Sequence, residues 1–379
     1  MSAPDPWWRA CRAELLALAE AATPRYVYHL DTLRARVEAL RAAVPADRAL
    51  YAVKANGHPD VIRTLAASGL GPECVSLGEV EHVRALLPDL DPAGILYTPN
   101  FAPRAEVEAG LRLGVRVTLD NATTLDTWPD VWAGREVFVR VDPGVGKGHH
   151  DHVRTAGSRS KFGVAQADLG ALARAADRLE VRVVGLHAHV GSGVDETDAW
   201  ADTARTLARA ADAHFPEARV LDVGGGIPVA TGGQRAFDLG AAGAALAAFR
   251  AERPAFELWV EPGRYFVAEA GVLLTRVTQV KRKGEVRFVG LDAGMNTLVR
   301  PALYGAHHDI VNLSRLDAPV AGPAEIVGPI CETGDAFAHD RPFPEAAEGD
   351  VVLIDTAGAY GAVMASAYNR RPPAEELVL

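Results

Sequence analysis

The sequence predicts a (β/α)8 TIM barrel, an α/β fold, followed by an all-β, barrel-like C-terminal domain. Between Arg48 and about Val260, short β-branched apolar runs alternate with longer Ala/Leu/Arg stretches of helical period. After Gly263 the alternation stops, and short apolar runs are separated by Gly, Pro and Asp. A length of 379 residues suits one large barrel with an appendage.

Eight strands are expected, at Leu50–Val53, Cys74–Ser76, Ile95–Tyr97, Val115–Leu119, Val137–Val141, Val181–His187, Val220–Val223 and Leu258–Val260. Helices are expected between them at Pro59–Ala67, Leu77–Leu86, Arg104–Leu113, Asp168–Arg178, Asp195–His214 and Ala241–Ala251, all rich in good helix formers. A doubly wound open sheet is the alternative for the same alternation. The later apolar runs, Val272–Val277, Val286–Leu291, Ala324–Val327 and Val351–Asp355, read as strands. Tyr26–His29, after Thr23-Pro24, is also strand-like and is expected to pair with them. The expected domains are therefore 30–265 for the barrel, and 1–29 with 266–379 for the β-domain.

Composition narrows the function. Thirty-nine Lys plus Arg against forty-nine Asp plus Glu give a net charge of −10, which disfavours nucleic acid as a partner. Three cysteines, Cys11, Cys74 and Cys331, are too few and too odd for a disulfide framework, so a reducing cytoplasm is expected. No apolar run is long enough to cross a membrane, and Met1–Trp8 lacks the pattern of a secretion signal.

In a barrel, chemistry sits where the strands end, and polar and glycine residues collect at those predicted ends. Lys54 leaves the first strand toward the mouth, where desolvation favours a nucleophilic amine; a lysine reaching for solvent is the plainer reading. Gly224-Gly225-Gly226 after the seventh strand exposes backbone N–H groups where such barrels bind phosphate, although three glycines also make an ordinary turn. Ser192 and Arg264 offer further phosphate donors from neighbouring strands. Glu261 ends the eighth strand; beside a phosphate-bearing aromatic cofactor it would pair with a pyridinium nitrogen, and otherwise it is a cap or a surface charge. His187 and His189 share one strand face, but no carboxylate or cysteine stands at a spacing that completes a ligand set, so no metal is expected and His189 is read as a stacking residue. His149-His150-Asp151-His152, in a glycine-rich loop with Lys147 and Arg154, reads as a solvated or lid segment. Cys331 lies in Cys-Glu-Thr-Gly-Asp, where polar neighbours argue against an apolar core position.

Seven ordered segments then carry a resemblance. They are Tyr51-Ala52-Val53-Lys54-Ala55-Asn56, His189-Val190-Gly191-Ser192, Gly224–Gly226, Glu261-Pro262-Gly263-Arg264, Arg300-Pro301-Ala302-Leu303-Tyr304, Cys331-Glu332-Thr333-Gly334-Asp335 and Gly358-Ala359-Tyr360-Gly361. Together they resemble the pyridoxal-phosphate-dependent decarboxylases of the alanine-racemase-like fold, above all the diaminopimelate decarboxylases, from about Thr23 to Glu376. Gly148–Gly163 and Tyr368–Arg371 most resemble the decarboxylase half of bifunctional aspartokinase–decarboxylases.

The resemblance implies a homodimer with shared active sites and pyridoxal 5'-phosphate as cofactor, bound covalently by Lys54. It implies that His189 stacks on the ring, while Ser192, Gly224, Gly225, Gly226, Glu261, Pro262, Gly263 and Arg264 hold the phosphate and ring nitrogen, with Tyr360 also touching the cofactor. It implies that Cys331 from the partner subunit donates a proton, and that Arg264, Arg300, Tyr304, Glu332 and Tyr360 contact the substrate. Two arginines and one glutamate suit a substrate with a distal carboxylate and a distal ammonium, as in meso-diaminopimelate, with L-lysine as product. Gly57, Gly193 and Thr333 depart from the residues most frequent in the family, beside reactive positions without replacing them. The rival readings are another basic amino-acid or polyamine decarboxylase, an amino-acid racemase, which would place arginine where Glu261 stands, and a non-catalytic cofactor carrier, which gives no reason for the β-domain with Cys331.

Overall fold

The structure is a computed structural model and describes residues 5–144 and 160–379. The histidine-rich segment His149–His152 lies outside the described residues. The chain divides into two compact units: residues 35–228 with 236–263, and residues 1–34 with 229–235 and 264–379.

The first unit is a closed parallel barrel of eight strands: Arg48–Ala52, Gly71–Cys74, Leu96–Tyr97, Arg116–Leu119, Glu136–Asp142, Arg182–His187, Val220–Asp222 and Glu257–Val260. Each pairs in parallel with its neighbours; Trp259 against Arg48 and Thr118 against Phe138 complete the ring, which excludes the open sheet. Every expected strand is present. The second begins and ends earlier than Cys74–Ser76 because Ser76 caps the next helix: its hydroxyl accepts from Glu79 N at 3.2 Å, and Glu79 Oε2 accepts from Val75 N at 2.7 Å. Helices Pro59–Ala67, Leu77–Leu86 and Arg104–Leu113 form where expected. The helix expected from Asp195 begins at Ala199, because Gly193 N and Val194 N are drawn into hydrogen bonds with Gly226 O, each 3.0 Å. Sequence reading also passed over helix Leu30–Ala43, whose apolar face is a sparse stripe of Leu33, Val37 and Leu40 among charged residues. Inside the barrel Leu50, Leu96, Phe138 and Trp259 pack as one cluster, each no more than 4% exposed.

The second unit is a largely antiparallel sheet ordered Ile310–Asn312, Val351–Ile354, Gly271–Lys283, Val286–Leu291, Val320–Val327, Ala336–Pro344. Arg25–Tyr28 joins it as expected, antiparallel to Gly271–Leu274 and parallel to Glu375–Val378. The strand from Gly271 runs to Lys283, past the expected Val277, because its outer half is an exposed polar hairpin arm that apolar patterning does not mark. Its core joins Val27, Val272, Leu274, Leu313, Val351 and Leu353 to Trp8, Leu15 and Ala19 from the N-terminal helices.

Phe138→Ala removes the central ring of the barrel cluster and is expected to lower unfolding free energy by about 3–5 kcal/mol, measured by urea denaturation. A change below about 1 kcal/mol would show that the cluster is not the barrel's packing centre.

Candidate active site

The polar groups of the barrel gather where its strands end. After the first strand a short turn, Val53–Ala55, sets Lys54 beside the second strand, and Lys54 Nζ lies 2.5 Å from Glu73 Oε2. Glu73 is 1% exposed, and its other oxygen accepts from the Thr98 hydroxyl. The sequence reading expected a desolvated amine here; the structure gives Lys54 a carboxylate that the reading missed. Its signal was an acid inside the buried strand Gly71–Cys74.

Across the mouth, the seventh and eighth strands end in two buried carboxyls, Asp222 and Glu261. His187 Nε2 lies 3.2 Å from Glu261 Oε2, and since a carboxylate only accepts, the ring donates there. His187, Asp222 and Glu261 bring one donor atom each to within 4.8 Å of one another. The expectation that no carboxylate completes a set with His187 was therefore incorrect, because the barrel brings together residues that are distant in sequence. Burial pushes Asp222 well above the ordinary carboxyl range, reinforced by the charge of Glu261. Burial would also raise Glu261, but His187 and the Lys54 charge hold it down at about 2. Two buried carboxyls side by side resist carrying two charges, and the surroundings push Asp222 toward its protonated form and Glu261 toward its ionised form.

Asp222 Oδ1 accepts from Gly224 N at 2.9 Å, and Glu261 N donates to Gly224 O at 2.9 Å, so the glycine loop is pinned between these strand ends. His189, half-buried on the sixth strand's continuation, accepts from Gly225 N at 3.2 Å through Nδ1. Burial, with Arg140 and Lys54 nearby, lowers its pKa to about 3, so the ring is neutral. The loop Gly191–Val194, which carries half-buried Ser192, is tied to Gly226 O. Pro262 and Gly263 are buried; a Cβ on Gly263 would stand 2.9 Å from Ala52 Cβ.

Pyridoxal phosphate fits these residues. Glycine is required in the loop: a Cβ on Gly225 would stand 2.5 Å from Glu261 O, and one on Gly226, at φ +94°, would stand 2.5 Å from Gly191 O. Asp222 Oδ2 and Glu261 Oε1 are buried without a donor from the described residues. A protonated Asp222 would supply one donor, and a protonated ring nitrogen would supply another to Glu261.

The remaining predicted residues lie in the other unit. Arg264 stacks on the Tyr360 ring, guanidinium carbon 4.8 Å from the centroid. Arg300 opens the short helix Arg300–Tyr304 and is 9% exposed. Burial lowers the pKa of both arginines, that of Arg300 to about 9 with the help of the Arg264 charge. Among the described residues neither forms an ion pair, and the Nε of each is buried without a partner. Tyr304 is half-buried at the end of that helix. Cys331 and Glu332 are exposed on a turn held from below by Asp335, which accepts from Ile330 N at 2.6 Å and Met295 N at 2.5 Å. Asn369 Oδ1 accepts from Cys331 N at 2.8 Å, and the Tyr368 hydroxyl donates to Glu332.

Gly226→Ala is expected to weaken pyridoxal phosphate binding by at least about tenfold in a fluorescence titration while the circular dichroism spectrum is retained. Unchanged affinity would show that the glycine serves chain packing alone.

A profile of the family "pyridoxal-dependent decarboxylase, pyridoxal binding domain" matches residues 30–268. Diaminopimelate decarboxylase of Methanothermobacter thermautotrophicus is 38% identical, over 95% of this chain and 87% of the relative. That of Deinococcus radiodurans is 39% identical, over 94% and 90%. The crystal structure of diaminopimelate decarboxylase from Helicobacter pylori complexed with L-lysine superposes with a TM-score of 0.87 at 29% identity, covering 94% of this chain and 91% of that one. The barrel, its lysine and glycine loop, and these likenesses agree: the chain belongs to the pyridoxal-dependent decarboxylases, within the diaminopimelate decarboxylase family.

Proposed function

We propose that this chain decarboxylates meso-2,6-diaminopimelate to L-lysine and carbon dioxide with pyridoxal 5'-phosphate, the last step of lysine biosynthesis. The observation that carries the substrate assignment is a pair of arginines, half-buried Arg264 and buried Arg300, each with its Nε shut away from a partner and with no carboxylate to answer them among the described residues. A substrate ending in a carboxylate supplies that anion, whereas lysine, ornithine and arginine bring a second cation instead.

When bound, pyridoxal phosphate supplies an electron sink for the pair left behind as the α-carboxylate departs. Lys54 Nζ is the covalent anchor, and Glu73 orients it through the 2.5 Å ion pair. The N–H groups of Gly224–Gly226 and the hydroxyl of Ser192 receive the phosphate, with Pro262 and Gly263 shaping the close approach. Glu261, held toward its ionised form, would keep a proton on the ring nitrogen, and neutral His189 would lie against the ring face. Arg264, stacked on Tyr360, follows Gly263 directly in sequence, and with Arg300 and Tyr304 it binds the distal carboxylate. Glu332 takes the distal ammonium, and Cys331 Sγ delivers the proton to the α-carbon.

The exposure of Cys331 and Glu332 supports their delivery to the site of a second copy, in a homodimer. All three cysteines are free, which supports a cytoplasmic setting. Among the described residues no helix is long and apolar enough to cross a membrane.

Carbon dioxide release from meso-diaminopimelate, L-lysine, L-ornithine and L-arginine, assayed in parallel, is expected only with the first. Preference for any of the others would assign a basic amino-acid decarboxylase. Lys54→Ala should abolish both turnover and covalent cofactor attachment, read by peptide mass spectrometry after borohydride reduction; attachment elsewhere would overturn the assignment of Lys54.

A further inference from the structure

A buried arginine is ordinarily answered by a carboxylate. Arg300 is answered by a histidine. Its Nη1 lies 3.0 Å from His308 Nε2, and His308 Nδ1 lies 2.8 Å from the backbone oxygen of Asp355. Each contact permits one proton arrangement. A carbonyl only accepts, so Nδ1 carries the hydrogen; a guanidinium only donates, so Nε2 is bare and accepts. The imidazole is therefore neutral and fixed as one tautomer from both sides. Its burial at 1% exposure, with Arg300 alongside, lowers its pKa to about 3 and agrees with this arrangement. The anchor is itself held: the Asp355 carboxylate accepts from Trp8 Nε1 at 2.8 Å and from Thr356 N at 2.6 Å.

We propose that His308 is a positioning and specificity-determining residue, a neutral acceptor that orients the Arg300 guanidinium without cancelling its charge. A carboxylate at this place would fix the arginine equally well but would neutralise it and repel an anionic ligand group. A lone-pair acceptor without charge leaves the full positive charge of Arg300 beside that of Arg264 for the substrate. This inference rests on the assignment of Arg300 to the distal carboxylate. It adds the reason the arginine stays uncompensated, and it names a residue with no part in the chemistry itself.

The test is steady-state decarboxylation of meso-diaminopimelate by holoenzymes carrying substitutions at His308 and Arg300. His308→Gln keeps an acceptor for Arg300 and a donor for the Asp355 oxygen, and should stay within about threefold of the parent in kcat and KM. His308→Leu should raise KM at least about tenfold with kcat within about threefold, because the chemistry is untouched and only carboxylate binding is lost. His308→Glu should raise KM further, since it adds the charge the site avoids. Should His308→Leu fold poorly, His308→Asn, whose shorter amide falls short of Arg300, carries the same expectation. A parental KM in His308→Leu or His308→Glu would overturn the proposal, as would a His308→Gln enzyme as impaired as His308→Leu, or a loss confined to kcat or to cofactor content. Arg300→Met separates the two claims. If it leaves KM unchanged, the substrate assignment fails; if it raises KM while His308→Leu does not, only the role of His308 fails.

Discussion

The barrel's active end is organised by one constraint, a negative charge kept on a buried carboxylate. A lone ionised carboxyl is costly to bury, and two side by side cannot both stay charged. The surroundings of Asp222 and Glu261 push the two carboxyls apart, Asp222 upward through burial and Glu261 downward through His187, which donates to it. The same residues fix the backbone. Asp222 receives Gly224 N, and Glu261 N donates to Gly224 O, so the glycine loop takes its place from the groups that set the charge. The N–H groups of the glycine loop and the Glu261 carboxylate are thereby held in one frame, which a mobile loop would not provide.

The opposite problem arises in the β-rich unit. Half-buried Arg264 and buried Arg300 repel each other, and both are shifted toward losing their protons. Their surroundings are aromatic or neutral: the Tyr360 ring under Arg264 and a bare histidine nitrogen on Arg300. A protein optimised for stability alone would place acids there. The strain is the expected signature of a place prepared for an anionic ligand. Both parts of the reading share one logic, in which charge is left uncompensated in the protein so that a bound molecule completes it.

Much of this was legible in the sequence, for identifiable reasons. Strand and helix periodicities marked the eight strands because parallel barrel strands are buried on both faces. Lys54, Glu261 and the three glycines stood out as candidates because strand ends mark the rim where barrel chemistry sits. The glycine-loop and carboxylate contacts then place Gly224–Gly226, His189 and Glu261 together within the barrel. What escaped depends on tertiary proximity. Glu73 and Asp222 each look like a single polar residue in an apolar stretch and His308 like one of a polar run, His307-His308-Asp309, and their partners lie 19, 39 and 8 residues away. Polar residues inside buried runs were the available signal, since each needs a partner that sequence order does not name. Ser76 shows the reverse case, where a local capping pattern was read as the end of a strand.

The account depends most on the ionised Glu261 keeping the cofactor's ring nitrogen protonated. The direct measurement is nuclear magnetic resonance of the protein reconstituted with pyridoxal phosphate isotopically labelled at that nitrogen, compared with Glu261→Gln. A protonated-nitrogen signal in the parent, persisting across neutral pH and replaced by a neutral-nitrogen signal in Glu261→Gln, is the result the account predicts. A neutral ring nitrogen in the parent protein, or a protonated one that survives the substitution, would contradict it.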